Sequence, residues 1–430
     1  MRAWLNFLSF MSIAGGLGVA CTGRIGPAGD LSGGDGGSSG VASTTGPSGP
    51  ASTAGPATTS AASGGGDQGC GGTPDDDADG DGFTEGQGDC NDCNPLVNPG
   101  AIELATVGGE GGAAPGGVDD DCDGEIDDVP VPCDGDLALD DRDPFNAAKA
   151  VELCKMSSGP GDWGVVSASW VLVDGTDPPE DPELNENFHR GHGILTGFGP
   201  NVSPRGGSRL LALSSGTARQ QDDPGFESPE GFNKGYSCEF PQGFPKHPSN
   251  CTDPVPASPE DPTALEITLR VPSNVRGFSF HVNYNTFDWP DLCSDFNDFF
   301  IALLSPAPPD RIDGHLLFDT GENAMSVNSD FIDVCNCAGG PPCVLGGKSF
   351  ACSSGTRELL GTGFENHAAT SWLVTSAPVE PNQEIKIRWG AYDAGDYQHD
   401  STGLIDNWQW IADPGVTVTT KHDPPPDPAP

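Results

Sequence analysis

Residues 264–271 read ALEITLRV. In an extended chain successive side chains point to opposite faces, so Leu265, Ile267 and Leu269 share one side while Glu266, Thr268 and Arg270 share the other. That alternation predicts a strand with one face in a core and one toward solvent. The same texture recurs on both sides of it: WGVVSASWVLV (163–173), SRLLALS (208–214), GFSFHVNY (277–284), DFFIALL (298–304), EIKIRW (384–389), LIDNWQWI (404–411) and VTVTT (416–420). Pro, Gly, Asn and Asp clusters separate these runs. Short strands punctuated by turn residues predict a β-sandwich or barrel. The expected fold class is therefore mainly β, a disulfide-stapled, jelly-roll-like β-sandwich over residues 131–421. Helical spacing is confined to FNAAKAVELC (145–154), where Phe145, Ala148, Val151 and Leu153 are apolar. No long helix is expected after residue 160.

Composition bounds the rest. The chain has 430 residues, a formal net charge of −44, 62 Gly and 41 Pro. Length suggests more than one unit, and the Gly and Pro content demands many turns and linkers. So acidic a surface repels phosphates, which excludes nucleic acid as a partner. No Gly-rich loop follows a strand and opens a helix, so nucleotide is excluded as well.

The 14 cysteines point to an oxidising compartment. The N-terminus agrees: Arg2 is followed by an apolar run ending in LGVAC, with Gly18 and Ala20 before Cys21. Residues 1–20 read as a signal peptide. Cys21 is then either the lipid-bearing first residue of a lipoprotein or the residue after an ordinary cleavage. If lipidated, it would tie the chain to a membrane and leave an odd number of cysteines. Cys133 with Cys154 and Cys238 with Cys251 are the expected local disulfides, and Cys335 and Cys337 are expected to reach Cys343 and Cys352. A zinc site is the competing reading of that C-x-C cluster. Residues 21–69 are Gly, Ser, Thr, Ala and Pro and cannot offset ordering entropy by burial. They read as a flexible tether spanning on the order of 35–40 Å. The tail 422–430 is expected to be disordered and carries no apolar anchor.

Between tether and sandwich, residues 70–130 carry the candidate chemistry. DDDADGDGF places Asp77, Asp79 and Asp81 in alternation ahead of Gly82. DDDCDGEIDD repeats the pattern with Asp119, Asp121, Asp123 and Gly124. This is the D-x-D-x-D-G opening of a calcium loop. Calcium takes about six to eight hard oxygens, and carboxylates two apart on a turning loop converge on one ion. The twelfth position from Asp77 is Gly88 rather than Glu, with Asp89 following. Neither loop is flanked by helical spacing, so the expectation is a loop-rich module and not a helix–loop–helix hand. Phe83, Glu85, Asp89, Asn91, Asp92, Glu125 and Asp127 complete the candidate ligand set. The competing reading is a solvated acidic linker.

The residues DADGDGF, GDCNDCNP, NPGA and DDDCDGEIDD resemble the MopE-type metal-binding motif of bacterial surface proteins. That family takes its name from a copper protein with histidine and modified-tryptophan ligands. Residues 70–130 contain no His, Trp or Met, so the oxygen-only set suits Ca²⁺ and not copper. The insert GGEGGAAPGG separates the two halves. Farther on, DPFNAAKAVELC, WGVVSASWVLVDG, GILTGFGPNVSPRGGSRLLALSSGTAR, NDFFIALL, ELLGTGFE and YDAGDYQHDSTGLIDNWQW resemble the choice-of-anchor L domain of bacterial surface proteins. The resemblance implies a surface-displayed β-domain and no known activity.

Other constellations are weaker. Asp393, Asp396, Asp400 and Asp406 lie near expected strand ends, as do Asp295, Asn297 and Asp298. Asp298, Asp393 and Asp396 are a candidate second metal site, against solvated turn residues. His189 and His192 form H-x-x-H without a nearby third ligand, so surface imidazoles are expected. Ser214 and Ser215 lack a G-x-S-x-G elbow. The function expected is non-catalytic display or adhesion at the cell surface, with an extracellular glycan or protein as partner. The alternatives are a polysaccharide-active hydrolase and a calcium-dependent sugar-binding module.

Overall fold

A computed structural model describes residues 72–104, 117–126, 131–249, 251, 258–294, 296–337 and 339–423. The expected signal peptide, Cys21, the tether, Asp127, Asp295 and residues 424–430 lie outside the described residues.

The first strands are β1 (Gly164–Val171), β2 (His192–Leu195), β3 (Leu210–Ser214), β4 (Pro259–Arg270), β5 (Gly277–Thr286) and β6 (Phe299–Ser305). Short strands follow: β7 (Val334–Cys335), β8 (Cys343–Leu345), β9 (Lys348–Phe350) and β10 (Ala368–Ala369). The chain closes with β11 (Leu373–Pro378), β12 (Glu384–Ala394), β13 (Ser401–Ile411) and β14 (Thr419–His422). One antiparallel sheet has the order β1-β4-β12-β6, a second β14-β11-β5-β13-β3-β2 with β10 paired to β5 and β7 to β10, and β8 and β9 form a separate hairpin. The first two pack face to face as a sandwich.

The alternation in ALEITLRV survives intact. Leu265, Ile267 and Leu269 are fully buried, while Glu266, Thr268 and Arg270 are partly exposed. On that outer face Glu266 takes Lys386 Nζ at 2.8 Å and Arg388 Nε at 2.9 Å from β12, a cross-strand charge pairing. On the inner face Trp389 of β12 meets Phe280 of β5 edge-on at 5.4 Å and Trp408 of β13 at 6.0 Å. These three rings bridge the sheets at the centre of the core.

Two short helices precede the strands they pack on. α1 (Pro144–Lys149) starts where the Asp143 side chain accepts from Phe145 N, with Pro at the first helical position. It stops short of the FNAAKAVELC pattern, because Glu152 takes a positive φ of 66°. α2 (Pro182–Arg190) has the same start, Asp181 capping Glu183 and Leu184. No helix among the described residues is long and apolar enough to cross a membrane.

Disulfides staple the loops. Cys133 bonds Cys154, Cys335 bonds Cys352, and Cys337 bonds Cys343. The zinc reading of the C-x-C cluster therefore falls, its sulfurs being used in two disulfides. The expected Cys238–Cys251 pair is corrected: Cys251 bonds Cys293. Cys238 N donates to Pro259 O beside β4, and its side chain joins the main core. The intervening chain, with Pro241, Pro245 and Pro248, carries Cys251 away to the 291–294 loop. His192 also departs from expectation. It is buried and stacked on Trp170 at 3.7 Å, with its Nε2 2.7 Å from His189 Nδ1. It lies in β2, whose four residues are all buried. Burial holds its pKa well below the ordinary imidazole value.

Candidate metal centre

Each aspartate-rich loop is built by its own side chains. Asp77 accepts from Gly80 N at 2.7 Å and Gly82 N at 3.1 Å, Asp79 from Asp81 N at 3.1 Å, and Asp81 from Phe83 N at 2.8 Å. Gly82 has φ +101°, a conformation a Cβ would oppose. The second loop repeats the scheme. Asp119 accepts from Gly124 N at 3.0 Å, Asp121 from Asp123 N at 3.2 Å, and Asp123 from Glu125 N at 2.8 Å. Alternating Asp with Gly at the sixth position thus encodes one backbone shape twice. Asp77 and Asp119 use both carboxylate oxygens on these amides, whereas Asp79 and Asp81 each use one and keep the other unpaired.

In the first loop oxygens of Asp77, Asp79 and Asp81 converge within 4.8 Å, as do those of Asp79, Asp89 and Asp92. Asp79 Oδ2, Asp81 Oδ2 and Asp89 Oδ2 are buried and have no hydrogen-bond partner. Asp92 reaches across to accept from Ala78 N at 3.0 Å, closing the loop on itself. Burial raises the pKa of Asp79 and Asp81, and lifts that of Asp89 from 3.8 to about 6. A neighbouring carboxylate adds to the shift in each case. Buried anions of this kind are ordinarily paired or metal-bound.

In the second loop Asp119 and Asp121 converge within 4.8 Å with Glu103, a residue the spacing did not single out. Glu103 also accepts from the amides of Asp120 and Asp121 at 2.8 and 3.2 Å. It is the one acidic residue between Asp92 and Glu110. That isolation beside an aspartate-rich motif is the signal that could have found it. Glu85 is exposed in a short 3-10 turn and stands outside the convergent groups. Asn91 is exposed too, its amide serving Asp89 at 2.8 Å.

A disulfide between Cys90 and Cys122 joins the two loops across the Gly-rich insert. The pair of loops is seated on the sandwich through the turn between β4 and β5. Ser273 N donates to Gly100 O at 2.9 Å, and Ile102 N to Asn274 Oδ1 at 3.1 Å. Ile102 packs against the main core.

The acids of the sandwich are arranged differently. Asp298 and Asp393 are buried at strand ends, whereas Asp396 is half-buried in the β12–β13 turn. Asp298 is engaged at both oxygens, by Ala394 N at 3.1 Å and Ser401 Oγ at 3.0 Å. Among the described residues these three do not form a convergent set. Ser214 and Ser215 are buried and bonded to the β13 backbone at Ser401. No protein-family model matches the chain, and no curated protein matches it.

Proposed function

We propose that this is an exported envelope protein, lipid-anchored at Cys21, in which a calcium-loaded double loop braces a β-sandwich displayed at the cell surface. The observation that carries the calcium reading is the trio Asp79 Oδ2, Asp81 Oδ2 and Asp89 Oδ2, buried, inward and without hydrogen-bond partners. An all-oxygen set of this charge takes a hard cation, and copper lacks a suitable ligand there. The ion has a structural task, to offset repulsion between carboxylates that the loop backbone forces together. The disulfides agree with an oxidising environment. The role is non-catalytic display or adhesion, with an extracellular glycan or protein as partner.

Extracellular calcium loops bind with Kd of about 10⁻⁴–10⁻³ M. At tenfold excess one such ion adds about 1.4 kcal/mol. Titration of the metal-stripped, full-length protein with CaCl₂, followed by NMR, tests the reading. Shifts confined at first to residues 75–104 and 117–126, and weakened in Asp79→Asn, are expected. An unaltered spectrum up to millimolar calcium overturns it. Metabolic labelling with a lipid precursor, abolished in Cys21→Ala, tests the anchor.

A further inference from the structure

We infer that the sandwich itself holds a divalent cation, separate from the aspartate-rich loops, between the carboxylates of Asp393 and Asp400 at one end of the fold. Asp393 lies in β12 where the register with β4 slips between Ala391 and Asp393, placing it opposite Glu260. Slips of this kind re-aim a side chain. Its carboxylate is fully buried, and neither oxygen has a hydrogen-bond partner. Asp400, just before β13, is 1 % exposed. Its Oδ2 accepts from Phe232 N at 3.2 Å, and its Oδ1 is buried without a partner. Three oxygens from two residues are thus withdrawn from water and left unsatisfied.

The charges around them indicate the ion's valence. Asp261 is fully buried beside Asp393, its oxygens held by Lys234 N at 2.6 Å and Gly235 N at 3.0 Å. The Lys234 ammonium faces the group, fully buried and donating to Ser214 O at 2.9 Å and Thr263 Oγ1 at 2.6 Å. Three carboxylates and one ammonium, with Glu260 opposite Asp393 and Asp298 in electrostatic range, leave the group at least doubly negative, which favours a divalent over a monovalent cation. Asp393 and Asp400 lie within electrostatic range of one another, and among the described residues no group of three acidic, histidine or cysteine side chains converges there within 4.8 Å. Neutral oxygens therefore complete the shell, which calcium accepts. The turn after β3 is placed to supply them, since Gly216 lies so close to Asp400 that a Cβ would sit 1.9 Å from Oδ2. A surface cavity of about 570 Å³, lined by Glu227, Glu230, Phe232, Asp396 and Tyr397, opens over this end. Its lining includes Phe232, whose amide holds Asp400, and its acidic rim would draw in a cation.

The chain's 4 tyrosines offer a probe. Tyr392 adjoins Asp393, Tyr236 O accepts from Asp261 N, Tyr284 Oη meets Ser401 Oγ, and Tyr397 lines the cavity. Residues 70–130 contain neither Tyr nor Trp. Terbium added to the metal-stripped full chain should give tyrosine-sensitised emission that calcium competes away. The emission should persist in an Asp79→Asn/Asp121→Asn variant, which tests the loops alone, and vanish in Asp393→Asn. Native mass spectrometry in calcium should count one ion fewer in Asp393→Asn. That variant should melt below wild type in calcium and above it in chelator, because it removes a ligand in the first case and an uncompensated charge in the second. Absence of sensitised emission from the wild-type chain overturns the site without needing any variant. An unchanged ion count, with Asp393→Asn melting higher in both conditions, overturns it as well.

Discussion

Cys90 and Cys122 are bonded at a sequence separation of 32, and through them the Asp77 loop and the Asp119 loop become one body. Closing a loop of that length removes unfolded-state entropy worth about 3–4 kcal/mol. A Cys90→Ser/Cys122→Ser protein should therefore show a lower apparent calcium affinity, because ion binding must then also order the loops. Isothermal titration against wild type checks this, and equal affinities would mean that each loop binds alone.

Calcium should matter more at neutral than at acid pH. Burial lifts Asp89 from 3.8 to about 6, so its folded form holds a proton more tightly than its unfolded form. In the metal-free protein that contribution is complete below about pH 4 and lost as pH rises through about 6. A cation takes over where the proton leaves. Hydrogen exchange of residues 75–104 should show a larger calcium-dependent protection at pH 7.5 than at pH 4.5. Equal protection at the two pH values would contradict the assignment.

Glu152 and Asp406 form a second acidic group. Burial and the neighbouring Asp406 push the Glu152 carboxyl far up, and burial raises Asp406 as well. Glu152 Oε2 accepts from Asn407 N at 2.7 Å, and Asp406 Oδ2 holds Arg205 N at 2.5 Å. The pair retains a proton at neutral pH and loses stability as alkali removes it, the direction set by a raised folded pKa. Glu152→Gln keeps the acceptor for Asn407 and cannot ionise. Its melting temperature should gain on wild type between pH 6 and pH 9; a constant difference across that range would refute the shared proton.

Trp389 carries the contact between the sheets. Trp389→Ala should cost about 3–5 kcal/mol, the range for removing a large buried aromatic side chain. Urea unfolding followed by circular dichroism measures it. A loss under about 1 kcal/mol would mean that Phe280 and Trp408 close the gap.

Non-reducing peptide mapping should recover Cys251 joined to Cys293, and no peptide joining Cys238 to Cys251. The second product would show that the proline-rich segment after Cys238 folds back on itself.

What the chain determined locally was legible. Period-two alternation in ALEITLRV and its neighbours specified strands and their buried faces, since side-chain direction in a strand depends only on position along it. The D-x-D-x-D-G spacing specified two loops of one shape, because its hydrogen bonds run between residues at most five apart. Asp143 and Asp181 cap their helices by the same short-range logic, although helical spacing had pointed only to the first of the two helices.

Everything that required two distant segments to meet was decided by the tertiary structure. Glu103 reaches Asp119 because a disulfide and a docking turn hold both halves of the module. Asp393, Asp400, Asp261 and Lys234 come within electrostatic range of one another because β12 lies beside β4 in one sheet and β13 beside β3 in the other. The burial of His192 and the partner of Cys251 follow from strand order and loop course. Local spacing says which way a side chain points, but its partner is set by which strands pair and in what register, and that is chosen by the core as a whole.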